Sequence, residues 1–384
     1  MADNNENKVL NVPPLRFPEF TEEWKAEQLD NIATLSKGIG ISKEQLSEDG
    51  EPCILYGELY TKYKSEIIKQ VESKTDINGS KLKRSKANDV IIPCSGETAV
   101  DIATARCVPF DNILFGGDLN VISLHQYDGA FMSYQLNGKR KYDIARVAQG
   151  VSIVHLYGEH LKAIKTYNPT LPEQQKIAKL LSLLDDRIDT QNKIIEDLKK
   201  LKSAISERLF KGIEGSFVLL SDICDIVKGK QINGENLSES GNYYVMNGGT
   251  EPSGYYGDYN VDANAISISE GGNSCGYVQF NTSPFWSGGH CYSIQNIADN
   301  VNNLYLYHYL KSNEDVIMKL RIGSGLPNIQ KKDLAMFKIK VPAIEQQITI
   351  STFLSSLERK AEIEERIQNA MLKEKQYLLH QMFI

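Results

Sequence analysis

The feature that most constrains this chain is a long run, Glu173 to Lys211, that contains neither glycine nor proline. Alternating steps of four and three pick out Ile177, Leu181, Leu184, Ile188, Gln191, Ile195, Leu198, Lys202, Ile205 and Leu209, and eight of these ten are apolar. Such spacing predicts one long helix with a coiled-coil seam. Pro172 stands at its start, where a missing N–H costs nothing, and Gly212 stands just past its end.

A second copy occupies Glu345 to Ile384. With Glu345-Gln346-Gln347 set against Glu173-Gln174-Gln175, a one-residue insertion brings Leu354, Leu357, Met371, Leu378 and Met382-Phe383 onto Leu181, Leu184, Leu198, Ile205 and Leu209-Phe210. The second seam is poorer, with Ala361, Glu364, Gln368 and Lys375 at its other positions. A lone amphipathic helix gains most of its stability by packing its apolar face. Two copies in one chain therefore predict that each is the other's partner.

The remaining sequence has room for two or three domains in 384 residues. The net charge of −6 gives no global sign of a nucleic-acid binder, so local charge has to be read instead. Six cysteines, Cys53, Cys94, Cys107, Cys224, Cys275 and Cys291, are scattered without metal-ligand spacing and are expected to be reduced core thiols. The N-terminus lacks a secretory pattern and no apolar run reaches membrane-spanning length, so a soluble, cytoplasmic protein is expected.

In chain order, residues 1–11 are polar and expected to be disordered. Residues 12–28 form a Pro-punctuated lead-in that Phe17, Phe20 and Trp24 should pin to the first domain. Short apolar segments beginning at Glu51, Asp89 and Asn120 predict strands, and residues 128–148 predict helix broken at Asn137-Gly138. After Gly212 the plan repeats. Leu29 to Gly38 matches Leu220 to Gly229, while Gln149-Gly150 through Leu161 and Pro169 fall opposite Ile322-Gly323 through Leu334 and Pro342. The fold class predicted is α+β: two mixed α/β recognition units joined by two long antiparallel coiled-coil helices, in an internal pseudo-two-fold repeat. The expected boundaries are 1–172, 173–212, 213–344 and 345–384.

Motifs for catalysis by the chain itself are missing. There is no G-x-x-x-x-G-K-[ST] phosphate loop, no G-x-S-x-G elbow, no H-E-x-x-H pair and no Asn/Asp-Pro-Pro-aromatic tetrapeptide. Binding chemistry is better represented. Residues 62–86 hold eight basic side chains against three acidic ones, a local net of +5, with Tyr56, Tyr60 and Tyr63 beside or within the run. Such a stretch suits phosphate contacts; a solvated lysine-rich loop would show the same residues. Ser95-Gly-Glu-Thr98 follows an apolar strand, where hydroxyls and a carboxylate suit base edges or simply close a turn. In the second half, turns at Asn247–Thr250, Ser269–Asn273 and Gly288–His290 are polar and glycine-rich, which permits either close approach to a ligand or tight hairpins. Tyr255, Tyr256, Tyr259, Phe285 and Trp286 are expected in sheet packing rather than as a stacking platform, and Lys311, Lys319, Arg321, Lys331 and Lys332 offer a basic face, although a plain solvated helix surface would show the same residues.

Taken together, this order of globular unit, long helix, globular unit and long helix resembles the specificity subunit of type I restriction-modification systems. The residues that carry the likeness are Pro169-Thr-Leu-Pro-Glu-Gln-Gln and Val341-Pro-Ala-Ile-Glu-Gln-Gln at the joins, and Leu198-Lys-Lys-Leu-Lys with Leu209-Phe210 and Leu378 with Met382-Phe383 at the helix ends. The lead-in Leu15-Arg-Phe-Pro-Glu-Phe with Trp24, the Ile92-Pro-Cys-Ser-Gly-Glu-Thr segment and Phe285-Trp286 with His290-Cys-Tyr292 are similar too.

The resemblance implies that each unit reads one half of a split, asymmetric double-stranded DNA target. A helix of about 38 residues, about 57 Å long, would set the gap between half-sites. It further implies two modification (methyltransferase) subunits that carry S-adenosylmethionine, and restriction subunits that use ATP and Mg, so that this chain holds no cofactor. Phosphate and groove contacts are expected from Lys62, Lys64, Lys83, Arg84 and Arg321. Base reading is expected from Tyr56, Glu58, Ser95, Glu97, Thr98, Asn247, Thr250, Ser269 and Asn273. The competing reading is a non-catalytic coiled-coil scaffold, or a glycan- or protein-binding module, supported by the Gly/Tyr/Asn-rich second unit.

Overall fold

The computed structural model describes residues 10–78, 81–323, 325 and 327–384. Most of the N-terminal segment expected to be disordered, residues 1–9, lies outside them. Asn11, at its end, is ordered by two hydrogen bonds, donating to Glu23 Oε1 and accepting from the Trp24 amide.

The chain forms two compact units. One runs to Asn192 and includes Ile367–Ile384, and the other is Lys193–Arg366. Both divisions fall inside the long helices, Leu171–Gly212 and Ile344–Gln381. Each unit therefore owns part of each helix, and within each unit the two parts pair antiparallel.

In the first unit a four-stranded antiparallel sheet has the order Ala33–Lys37, Leu119–Leu124, Asp89–Pro93, Arg106–Val108. The second unit repeats it as Asp225–Lys228, Cys291–Gln295, Ala265–Ser269, Val278–Asn281. A side pair, Lys25–Gln28 with Lys165–Asn168, recurs as Ser216–Leu219 with Lys338–Val341. A further small sheet built on one parallel pair, Cys53-Ile54 with Leu114-Phe115, recurs as Val245-Met246 with Trp286-Ser287. The expected helices form at Gly129–Asn137 and Lys141–Val147, and the first is capped by Asp128 Oδ1, which accepts the Phe131 amide at 2.7 Å. Asn302 caps the equivalent helix Asn303–Ser312 in the same way. All six cysteines are free and buried, as their scatter predicted; burial pushes the Cys94 thiol up to about 11.

The lead-in is pinned as expected. Trp24 packs edge-on against Phe131 and Phe383, with centroids 5.7 and 6.4 Å away. Arg16 makes two 2.7 Å bonds to the buried Glu173 carboxylate, and Lys176 covers the Phe17 and Phe20 rings. In the second unit Phe210 takes the corresponding place against Tyr305 and Tyr309.

One alignment detail is corrected. Gln174 accepts the Asp128 amide and donates to the Pro169 carbonyl, both at 2.8 Å. Gln347 does the same with the Asn302 amide and Pro342 carbonyl, again at 2.8 Å. The equivalent of Gln174 is thus Gln347, not Gln346. The register from Pro169/Pro342 onward is continuous, and no insertion is needed.

The weak second seam also acquires a physical reason: its polar members have partners. Lys375 meets Asp185 and Glu66, and Gln368 bonds Asn192. In the other unit Lys202, equivalent to Lys375, meets Glu358, equivalent to Asp185. Polar pairs at a few seam positions, partly buried or buried, favour one register and orientation where apolar residues alone would allow slippage.

Candidate nucleic-acid interface

In the first unit the strand Asp89–Pro93 is followed by a bend at Cys94. The next two residues, Ser95-Gly96, leave the sheet to pair with Val154-His155. Beside this junction opens a 740 Å³ cleft lined among others by Tyr56, Tyr60, Ser95, Glu97, Arg106 and Ile153. Tyr60 Oη donates to the Ser95 carbonyl at 3.0 Å. Burial, and after it the nearby Asp101 carboxylate, raises the Tyr60 pKa, so the phenol stays a neutral donor. Ser95 Oγ lies 3.3 Å from His155 Nδ1. His155 packs on Tyr157, whose ring lies 5.7 Å from Lys37 Nζ. Arg106 is the buried cation of the lining. Its Nε donates to the Tyr63 carbonyl and its Nη1 to that of Ala105, at 2.8 and 2.9 Å, and burial lowers its pKa against the opposing pull of Glu66 and Asp185. The result is an open surface offering a hydroxyl, a carboxylate, a phenol and cations, a set that can meet the donors and acceptors of a base edge.

The sequence candidates divide around this cleft. Tyr56, Ser95 and Glu97 are brought together in it. Glu58 is not: it is 6% exposed, accepts the Leu55 amide at 2.9 Å and the Ser73 hydroxyl, and pairs with Lys62 at 2.8 Å. That pair ties the turn of helix Glu58–Thr61 to Ser73. Thr98 caps the helix Ala99–Ile102, accepting the Asp101 amide at 3.1 Å, which is the turn-closing alternative. Arg84 grips Glu51 through both terminal nitrogens, Lys83 is half-buried in the strand Lys83–Arg84, and Lys64 is exposed. Lys69 bridges Asp186 and Asp189 of the first long helix. The basic segment is thus neither a bare cationic stripe nor a solvated loop, because carboxylates from elsewhere in the chain meet several of its charges.

In the second unit the three glycine-rich turns converge. Ser269 Oγ donates to the Gly248 carbonyl at 2.7 Å, Glu270 N to the His290 carbonyl at 2.9 Å, and His290 N to Asn247 Oδ1 at 3.2 Å. Ser269 is buried by these bonds, whereas Thr250, Asn273 and Arg321 are exposed and Asn247 is half-buried. Beneath them lies Glu270, which accepts from Lys228 Nζ at 2.6 Å and Tyr292 Oη at 3.1 Å, with His290 Nδ1 3.7 Å away. Lys228 stands where Lys37 stands in the first unit. Phe285 is buried in face-to-face contact with Tyr244, and Trp286 packs against Tyr256, so these aromatics belong to sheet packing as expected.

The same surfaces carry Lys37, His155, Tyr157 and Arg106 in the first unit and Lys228 in the second, none of them among the sequence candidates, while Glu270 and His290 lie in glycine-rich turns that the sequence did single out. The repeat alignment already carried a signal for the two lysines, since each precedes the matched glycine, Gly38 or Gly229. Among the described residues no group of three His, Cys, Asp or Glu side chains is arranged to hold a metal ion. Likewise, among the described residues no helix is long and apolar enough to cross a membrane.

The family model for the Type I restriction modification DNA specificity domain matches this chain twice, over residues 21–200 and 214–373. A putative type I restriction enzyme MjaX specificity subunit from Methanocaldococcus jannaschii is 26% identical over 253 residues, which cover 57% of this chain and 58% of that one. A putative type I specificity subunit, S.MgeORF438P, from Mycoplasma genitalium is 23% identical over 242 residues, 59% of this chain and 62% of that one. The chain therefore spans less than two thirds of the length of either relative. The crystal structure of a type I restriction-modification system S subunit from M. genitalium superposes with a TM-score of 0.69 over 97% of this chain and 99% of that one. At 20% identity this is a likeness of fold.

Proposed function

From the premise that this chain belongs to the Type I restriction modification DNA specificity domain family, we propose that it is the DNA-sequence-reading subunit of a type I restriction-modification complex. The observation that carries the reading is the repeat. One sheet order occurs twice, and each copy presents a different polar surface at the same place, after the strand that ends at Pro93 or Ser269. Two readers on one scaffold suit a target of two unlike halves. Residues 1–172 and 213–344 would be the recognition domains, and 173–212 and 345–384 the helices that set the gap and dock partner subunits.

Tyr56, Ser95 and Glu97 would meet base edges in the first unit, and Asn247, Thr250 and Asn273 in the second. Lys64 and Arg321, together with Lys37 and Lys228, would meet phosphates. Glu58, Lys62, Arg84, Thr98 and Ser269 would hold these groups in place, given the bonds they already make. No step of catalysis falls to this chain. Two methyltransferase subunits with S-adenosylmethionine, and restriction subunits with ATP and Mg, would supply the chemistry. The test is duplex-DNA binding by the complex across a salt series. Specific binding should weaken by about one logarithmic unit per phosphate contact for each tenfold rise in salt, and Glu97→Ala should change preference at one position of one half-site by about 1–3 kcal/mol. Salt-independent binding, or a Glu97→Ala variant with unchanged preference, would count against the reading and against that residue respectively.

A further inference from the structure

Beside the cleft of the first unit is an apolar turn that the polar contacts above do not use. Gln149 and His155 exchange both backbone hydrogen bonds, at 2.9 and 2.7 Å, and close the turn at its base. Gly150 has φ +127°, and a Cβ there would sit 2.1 Å from the Ile153 carbonyl oxygen, so glycine is required. The turn projects Val151, 97% exposed, and Ile153, 61% exposed, and Ile153 is also part of the cleft wall with Tyr60 and Glu97. The second unit keeps the device: Ile322 and Asn328 exchange bonds of 2.8 and 3.0 Å around Gly323, whose φ is +93°. A turn closed so firmly, holding branched apolar side chains in water, gains nothing for the fold from that projection.

We infer that Val151 and Ile153 determine specificity in the first unit by packing against the C5 methyl group of a thymine, next to the bases met by Ser95 and Glu97. The inference rests on the DNA-reading function proposed above. The thymine methyl is the apolar feature of an otherwise polar major-groove edge, which matches an apolar finger at the wall of a cleft that also holds the Ser95 hydroxyl, the Glu97 carboxylate and the Tyr60 phenol. A protein partner fits less well, because a stable interface needs about 800 Å² from each side and this finger is two side chains wide.

The test uses the chain in complex with its methyltransferase subunits and a duplex carrying the site it prefers, selected from random sequence. Each thymine is replaced in turn by deoxyuridine, which pairs identically and lacks only the methyl group. At one position of one half-site the replacement should weaken wild-type binding about fourfold, the worth of one buried methyl. The Val151→Ser/Ile153→Ser variant should bind the thymine duplex as weakly as wild type binds the deoxyuridine duplex, and lose the discrimination while keeping its salt dependence. Val151→Ser alone, at a side chain exposed to solvent, leaves folding untouched and should lose part of it. Wild-type indifference to every replacement, or full discrimination by the double variant, overturns the inference. A wild-type complex with no preferred sequence overturns the DNA-reading function itself and this inference with it.

Discussion

Replacing Lys375 with alanine probes how the second long helix is held in the first unit. Lys375 Nζ lies 2.5 Å from Glu66 Oε2 and 2.7 Å from Asp185 Oδ1, and its side chain is 14% exposed. Asp185 accepts two further bonds, from Tyr134 Oη at 2.8 Å and Ser65 Oγ at 2.9 Å. Burial pushes the lysine's pKa down, but Glu66 and Asp185 together push it further up, so it sits above the ordinary lysine value and is charged at neutral pH. The variant would leave two buried carboxylates facing each other without their shared cation. Breaking a buried pair in this way costs about 3–5 kcal/mol, against about 0–1 kcal/mol for an exposed one. Urea unfolding followed by Trp24 fluorescence in a Trp286→Phe background reports this unit, since Trp24 is buried against Phe131 and Phe383. A loss of about 3 kcal/mol or more is expected. The combined variant Lys375→Met/Glu66→Gln/Asp185→Asn, which removes all three charges, should recover most of it. A loss below about 1 kcal/mol would show that the cluster is solvated and refute the reasoning.

In the second unit His308 is buried and bonded to Ser355, and its pKa is depressed to about 4 by burial, which Glu358 opposes and Lys202 reinforces. The unfolded chain therefore takes up this proton first. Stability should be full above about pH 6.5 and fall by up to about 3 kcal/mol towards pH 4; an equal acid loss in His308→Gln would contradict this. Gly38 and Gly229 each follow the repeated lysine and touch backbone: a Cβ at these positions would sit 1.9 Å from the Gly116 oxygen and 2.2 Å from the Gly288 oxygen respectively. Gly38→Ala should cost about 1–3 kcal/mol in a denaturant titration, whereas Gly40→Ala, with open space around it, should stay within about 0.5 kcal/mol. Equal effects would contradict the close-approach argument. Deleting one heptad from each long helix in phase removes about 10 Å of helix, or about three base pairs. The spacer between methylated half-sites should shorten accordingly, and an unchanged spacer would refute the helices as its ruler.

The helices and the repeat were legible because their signals are periodic. The seam from Ile177 to Leu209 depends only on spacing, and Leu29 to Gly38 against Leu220 to Gly229 only on self-similarity. The polar seam positions looked like weaknesses because Lys375 finds Glu66 and Asp185 far away in sequence. The same limit misplaced part of the site. Counting charge over residues 62–86 cannot show that Glu51 neutralises Arg84 or that Asp186 and Asp189 hold Lys69. Glu58 had the chemistry of a reading group, but its neighbours Leu55, Lys62 and Ser73 draw it inward. The turn that carries Ser95 and Glu97 was legible because a polar turn directly after a buried strand is a local pattern. His155 and Tyr157 join them only through the pairing of Ser95-Gly96 with Val154-His155.

The central claim, that one chain carries two independent DNA readers, is tested most directly by co-expressing it with a type I methyltransferase subunit that forms a stoichiometric complex with it and mapping methylation across the genome of the expressing cell. The account predicts a two-part motif with a fixed gap, in which Glu97→Ala relaxes one half only and Asn247→Ala the other half only. A stoichiometric complex that methylates no defined motif, or variants in both units that alter the same half, would contradict it.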